Sequence, residues 1–205
     1  KLAKVRRKDQ TEAWVVVHTE AQAQPDYGFP ERMYTYNYRA FDCRHLPVVS
    51  LAVLGDSEPG WRPSRYEFSL WGCKVVLEFP VVKLLDYEQR WELLERSDSP
   101  FAVVTMAHLR TLSTHGDPQS RWEWKTRLVR GLYRYGWSRE RVRRLFRFID
   151  WMMALPPQLE RGFHEEVRRI EEEMRTPYVT SIERFAREEG RQEGREEGSV
   201  EIARA

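Results

Sequence analysis

Cysteine is scarce in this chain: Cys43 and Cys73 are the only two among 205 residues. Two thiols cannot build a disulfide framework, and these lack the paired spacing of a zinc site, so a reducing, cytoplasmic setting is expected. Long apolar runs are missing as well. No stretch approaches the roughly 20 residues that a bilayer-spanning helix needs, and no secretory leader is visible, so no membrane partner is expected. Net charge is small, because 34 Lys and Arg oppose 32 Asp and Glu to leave +2. That balance neither demands nor excludes a nucleic-acid partner, and local clustering has to decide. No glycine-rich phosphate loop occurs, since "LGDSEPG" and "DPQSRWEWK" lack nucleotide-binding spacing. Ser–His–Asp chemistry has no local signature either, as His108 and His115 fall in or beside a segment of core character.

What is present suffices for a sizeable core: 41% of residues are hydrophobic beside 32% charged. The chain opens at Lys1 without an initiator Met and with its hydrophobic pattern already running, so it reads as a fragment of a longer protein. Residues 1–5 and 13–22 read as two strands joined by the charged "RRKDQTE", a hairpin. In "GFPERMYTYNYRAFDC" Pro30 suits a first helical turn, and Tyr34, Tyr38 and Phe41 recur at helical spacing. "PVVSLAVLG" is a buried strand stopped by Gly55-Asp56, and "RYEFSL" and "CKVVLEFPVVKLL" supply further strands, with Pro80 marking an edge or bulge.

From residue 87 onward the pattern is helical. Ser99-Pro100 and Asp117-Pro118 are cap-plus-first-turn pairs, the second helix running to Gly136. Val142, Leu145, Phe146, Ile149 and Met153 form an apolar stripe on the next helix, which Pro156-Pro157 ends. Another amphipathic helix spans 158–174, and Thr180 and Glu183 stand at capping-box spacing beyond it. The tail repeats Glu-Gly-Arg-x, and a glycine every fourth residue weakens a helix by roughly 1 kcal/mol each. The expected organisation is therefore a mixed α/β region over 1–86, an all-α region over 87–175 and a charged tail over 176–205. The eight tryptophans read as core residues.

One short stretch points to chemistry. "AWVVVHTEAQAQ" begins with the β-branched and aromatic composition of a strand buried on both faces, then sets Glu20 and Gln22 two residues apart. Alternate strand residues share a face, so the carboxylate and the amide point the same way, with His18, Val16 and Trp14 running behind them into the core. The polar end is the mouth of a buried strand, a common site location in α/β sheets. With a hairpin turn centred near Gln10, Val16 would face Lys4, His18 would face Leu2, and Glu20 would face the residue before Lys1. A carboxylate there would share one hard cation with Glu20.

The segments "KLAKVRRKD", "EAWVVVHTEAQAQPD", "FPERMYTYNYR", "RPSRYEFSLWG", "VVKLLDY", "SPFAVVTMAHL", "LFRFIDWMMALP" and "PYVTSIER" follow one another in order over nearly the whole chain. In this it resembles the recombination-promoting nuclease (transposase-like) family, a branch of the PD-(D/E)XK nuclease superfamily. The resemblance implies a restriction-endonuclease-like mixed sheet core with helices, and DNA phosphodiester hydrolysis assisted by Mg²⁺ or Mn²⁺. It also implies an Asp directly before the "KL" that opens this chain. Glu20 would then be the retained metal ligand, and Gln22 would occupy the place of the motif's lysine. A lysine there orients the attacking water and adds positive charge, whereas Gln22 hydrogen-bonds without charge. Fast turnover is therefore not expected of this chain.

Asp9 and Glu12 cannot replace the upstream carboxylate, because Glu12 stands eight residues from Glu20, roughly 26 Å at strand rise. Lys4 shares the site's face and would lend it a charge, and His18 stands behind the site either as a neutral packed ring or as a further ligand. Arg32, Tyr36 and Arg39 share one face of the following helix, where they would either hold the phosphates around a scissile bond or be ordinary helix-surface residues. Arg6, Arg7 and Lys8 make a basic knob at the hairpin tip suited to DNA backbone contact or to simple solvation. Arg139, Arg141, Arg143, Arg144 and Arg147 concentrate on one helix as a further phosphate-tracking candidate. The leading expectation is a metal-dependent DNA endonuclease, and the alternative is a catalytically inactive DNA-binding or self-associating protein on the same fold. Self-association would run through the helical region or the tail.

Overall fold

The β-branched run around Val15, Val16 and Val17 is the centre of an eleven-residue strand, β2 (Glu12–Gln22), in a computed structural model that describes residues 1–6 and 8–175. Before it, β1 (Leu2–Arg6) pairs antiparallel, with Leu2 opposite Val16 and Arg6 opposite Glu12. The hairpin is therefore centred on position 9 rather than Gln10. Asp9 pins the turn by accepting from Thr11 N and Oγ1, and Gln10 takes a left-handed φ of 68°. Lys4 consequently faces Trp14, not Val16. Lys1 and Val17 exchange hydrogen bonds, which sets His18, not Glu20, opposite the position before Lys1. The expected face survives this shift of two, because the side-chain period is also two.

Helix α1 (Phe29–Arg44) follows, and its Pro30 sits in the first turn, where no amide donor is missed. Strand β3 (Val48–Leu54) returns parallel to β2, with Glu20 opposite Ala52 and Gln22 opposite Leu54. Strands β4 (Arg65–Leu70) and β5 (Cys73–Glu78) then form a separate hairpin closed by Trp71-Gly72. The Phe79-Pro80 step breaks what read as one long strand, and β6 (Val81–Lys83) joins the main sheet parallel to β3. The sheet order is β1-β2-β3-β6.

Alternation on β3 decides where the core lies. Ser50, Ala52 and Leu54 are buried beneath α1, whose Phe29 and Met33 complete an apolar cluster with Phe79. The rings of Trp61 and Phe79 stand edge-on to Phe29. Trp14 is 51% exposed, so β2 is not a strand buried on both faces. Tyr38 and Phe41 likewise lie on the open side of α1.

A 3-10 turn (Leu84–Arg90) leads out of this first unit, Lys1–Arg90, and a second, helical unit begins at Trp91. It contains α2 (Trp91–Glu95), α3 (Pro100–Ser113), α4 (Pro118–Leu132), α5 (Arg139–Met152) and α6 (Pro157–Met174). Ser99 Oγ accepts from Phe101 N and Asp117 from Ser120 N, so both expected caps form. Helix α4 stops at Leu132, short of Gly136. The α5 stripe is buried at all five positions, and its Phe146 ring stacks on Phe163 of α6. None of the tryptophans is fully buried, and Trp71 and Trp151 are 97% and 73% exposed, contrary to a core role. No helix among the described residues is long and apolar enough to cross a membrane. Arg7, the Thr180–Glu183 capping pair and the charged tail lie outside the described residues.

Candidate functional site

Because β2, β3 and β6 run parallel, their carboxyl ends share one edge, where Gln22, Leu54 and Lys83 stand in a single row. Gly55 N donates to Gln22 O at 2.8 Å and extends that edge by one bond. The side chains of His18, Glu20 and Gln22 emerge on the face covered by α1, so helix residues reach down onto them. Glu20 is 27% exposed, neither sealed in the core nor free in water.

Arg32 is the centre of the constellation. Its Nη1 lies 2.5 Å from Asp26 Oδ2, its Nη2 donates to Gln22 Oε1 at 2.8 Å, and its Nε lies 3.4 Å from Glu20 Oε1. The guanidinium also stands over the Phe29 ring at 5.3 Å. Asp26 is braced by the Gly28 N–H on its other oxygen at 2.8 Å. Hydrogen bonding to Arg32 first, and to the Gly28 amide second, holds the Asp26 carboxyl below its usual range. Arg32 is raised above its usual value, chiefly by the same bond to Asp26. Gln22 is committed at both ends, since its Nε2 donates to Gln24 O at 2.8 Å.

A second chain of contacts orients His18. Asn37 Nδ2 donates to Ser50 Oγ at 3.0 Å, and Ser50 Oγ lies 3.1 Å from His18 Nδ1. Since Asn37 can only donate through that nitrogen, the Ser50 proton is free to point at Nδ1. With Ser50 donating, a neutral imidazole carries its proton on Nε2, which lies 3.6 Å from Glu20 Oε2. The Tyr36 ring stands edge-on to the imidazole at 5.6 Å. The His18 ring thus packs between Ser50 and Tyr36 with its Nε2 side facing Glu20.

The expected site residues divide accordingly. Glu20, Gln22, Arg32 and Tyr36 converge, whereas Arg39 is exposed one turn further along α1. Lys4 pairs with Glu12 at the far end of β2, away from Glu20. Arg6 and Lys8 are exposed at the hairpin tip; Arg6 faces Glu12, eight residues and roughly 26 Å from Glu20. On α5, Arg144 pairs with Glu140 and Arg141 stands over the Trp137 ring at 5.8 Å.

Among the described residues no three His, Cys, Asp or Glu side chains group to hold a metal ion. Glu20 nevertheless fits a hard cation as one ligand. It is a partly exposed oxygen donor at a sheet edge, and Mg²⁺ commonly takes one or two carboxylates and fills its sphere with water and substrate phosphate. The Arg32 guanidinium already faces one oxygen of that carboxylate.

The sequence did not single out Asp26, Asn37 or Ser50, which hold the site together, nor a buried pair just beside it. Lys83 Nζ donates to Asp56 Oδ1 at 2.5 Å, to Glu58 O at 2.7 Å and to Trp61 O at 3.2 Å, with both charged side chains at 1% exposure or less. The available signal was a lysine set inside the apolar "VVKLL". Compared with protein-family models, curated proteins and solved structures, the chain matches none.

Proposed function

We propose that this chain is a DNA endonuclease of the recombination-promoting, transposase-like type, hydrolysing phosphodiester bonds with the help of Mg²⁺ or Mn²⁺. The observation that carries this reading is the side-by-side emergence of Glu20 and Gln22 beneath α1, at the carboxyl end of a strand flanked antiparallel by β1 and parallel by β3. Glu20 would hold the ion on its open side. When bound, such an ion activates the attacking water and neutralises charge on the phosphate. His18, fixed by Ser50 and Asn37, would stand beside the Glu20 carboxylate as a polar neighbour of the ion. Tyr36 and Arg39 face the backbone beside the cut, and Arg6 and Lys8 at the hairpin tip meet the same duplex further along. The roughly 26 Å between Glu12 and Glu20 corresponds to about eight base pairs at ~3.4 Å each. Two exposed free cysteines suit a protein working in the reducing cytoplasm.

A carboxylate placed directly before Lys1 falls opposite His18 and diagonal to Glu20. Diagonal neighbours are about 7–8 Å apart, within reach of one shared cation. Plasmid nicking with Mg²⁺ or Mn²⁺ tests the reading, using the chain as given, the chain carrying one added Asp before Lys1, and both with Glu20→Ala. Nicking that appears or strengthens with the added Asp and is lost with Glu20→Ala supports it. Equal nicking with and without Glu20 refutes it.

The neutral Gln22 and the guanidinium already on Glu20 favour a second reading, a DNA-binding or self-associating protein without catalysis on the same fold. It predicts DNA retention on a filter with no nicking in any of the four proteins.

A further inference from the structure

An uncharged amide at position 22 raises the question of where this site finds a fixed positive charge. The Gln22 amide is oriented without ambiguity: its oxygen faces a guanidinium donor and its nitrogen faces the Gln24 carbonyl. Reversing it would set two donors against each other. Gln22 therefore receives Arg32 rather than replacing a lysine by itself. The three nitrogens of Arg32 serve three acceptors, with the shortest contact to Asp26 and the longest to Glu20. Asp26 is thus the anchor and Glu20 the loosest partner. An ion arriving at Glu20 Oε1 displaces the 3.4 Å contact with Arg32 and leaves the guanidinium moored on Asp26 and Gln22.

We propose that Arg32, moored by Asp26 and Gln22, supplies beside Glu20 the positive charge that an Asp/Glu-x-Lys arrangement takes from its lysine. This inference rests on the endonuclease reading and assigns one residue within it. A guanidinium stays protonated at any working pH, and its rigid fork matches several oxygens at once, which an ammonium does not. Its charge opposes a second cation on Glu20 while favouring negative charge that grows on a phosphate nearby. Metal affinity and turnover should therefore move in opposite directions when Arg32 is lost.

The probe is Mn²⁺ alone, titrated calorimetrically into the full chain and its Asp-extended form, with nicking measured in parallel. Arg32→Met is expected to tighten Mn²⁺ binding by about tenfold, the scale of one like charge removed from a partly solvated site. Nicking should fall by at least about tenfold in the same protein. Asp26→Asn, which frees Arg32 to close fully on Glu20, is expected to weaken Mn²⁺ binding instead. A merely structural role would shift both variants the same way. Adding Gln22→Lys to the Arg32→Met background should restore nicking, which also guards against loss of folding as the cause. Unchanged Mn²⁺ affinity and rate in Arg32→Met, with both lost in Glu20→Ala, would overturn the assignment of Arg32 and leave the endonuclease reading standing. Absence of Mn²⁺ binding and of nicking in every protein would overturn both.

Discussion

Lys83→Met removes one half of an ion pair that water does not reach. In the native chain Lys83 Nζ is shared among Asp56 Oδ1 and the carbonyls of Glu58 and Trp61. Asp56 Oδ1 also accepts from Glu58 N at 2.9 Å, while Oδ2 is buried with no hydrogen-bond partner. The substitution therefore strands a carboxylate on a side chain that is 1% exposed, together with two carbonyls. Breaking a buried pair on one side costs about 3–5 kcal/mol. A unit of about 90 residues holds roughly 5–13 kcal/mol at the usual ~0.05–0.15 kcal/mol per residue, so the loss is about a quarter or more of the total. The melting temperature of the unit should drop by about 12 °C or more. Urea unfolding followed by tryptophan emission is the assay, since the Trp61 ring lies 5.7 Å from Lys83 Nζ and reports on this region. Adding Asp56→Asn keeps the acceptor for Glu58 N and removes the stranded charge. The double variant should recover most of the loss, leaving about 1–2 kcal/mol for the two carbonyls without a donor. A cost below about 1 kcal/mol for Lys83→Met, or a double variant no better than the single one, would refute the assignment of this pair as a central fastening of the first unit.

Other expected outcomes rest on separate features. Trp71 and Gly72 both have positive φ, 49° and 83°, which makes a two-residue hairpin turn of the kind that favours Asn-Gly. Since Trp71 is 97% exposed, Trp71→Asn should relieve backbone strain without losing packing and raise stability by about 1 kcal/mol in urea; a fall would contradict this. Burial first, and the Glu95 charge second, push the Tyr135 hydroxyl above the ordinary tyrosine range. Its folded value exceeds its unfolded one, so its contribution is complete below the unfolded value near 10 and is lost as pH rises through the folded value. Tyr135→Phe should flatten that alkaline loss and remove a late-appearing phenolate from an absorbance titration.

The helical half of the chain was the more legible in its sequence, for local reasons. Ser99-Pro100 and Asp117-Pro118 carry their capping chemistry within three residues, and the stripe from Val142 to Met153 encodes its buried face through helical period alone. The site was legible in its face but not its register. Strand alternation put Glu20, Gln22 and His18 together whatever the turn, whereas the centre of the hairpin depended on Asp9 folding back onto Thr11. Arg32 was visible as a helix-face residue, but its partners were not. Gln22 and Glu20 reach it only because α1 crosses the end of β2, a relation that no local spacing carries, while Asp26 meets it from the turn that opens α1. The tryptophans misled because size and apolarity alone do not say which rings a small sheet has room to cover.

The side of the main sheet away from α1 presents Val49 and Val82, 42% and 44% exposed, among other β-branched residues of parallel strands. Parallel strands elsewhere are sheathed on both sides, so these half-exposed valines mark a face on which detergent, dye or a neighbouring molecule is expected to settle. Concentrated stocks of the chain will accordingly turn cloudy well before heat unfolds it. Salts that strengthen the association of oily surfaces will shorten its shelf life rather than prolong it.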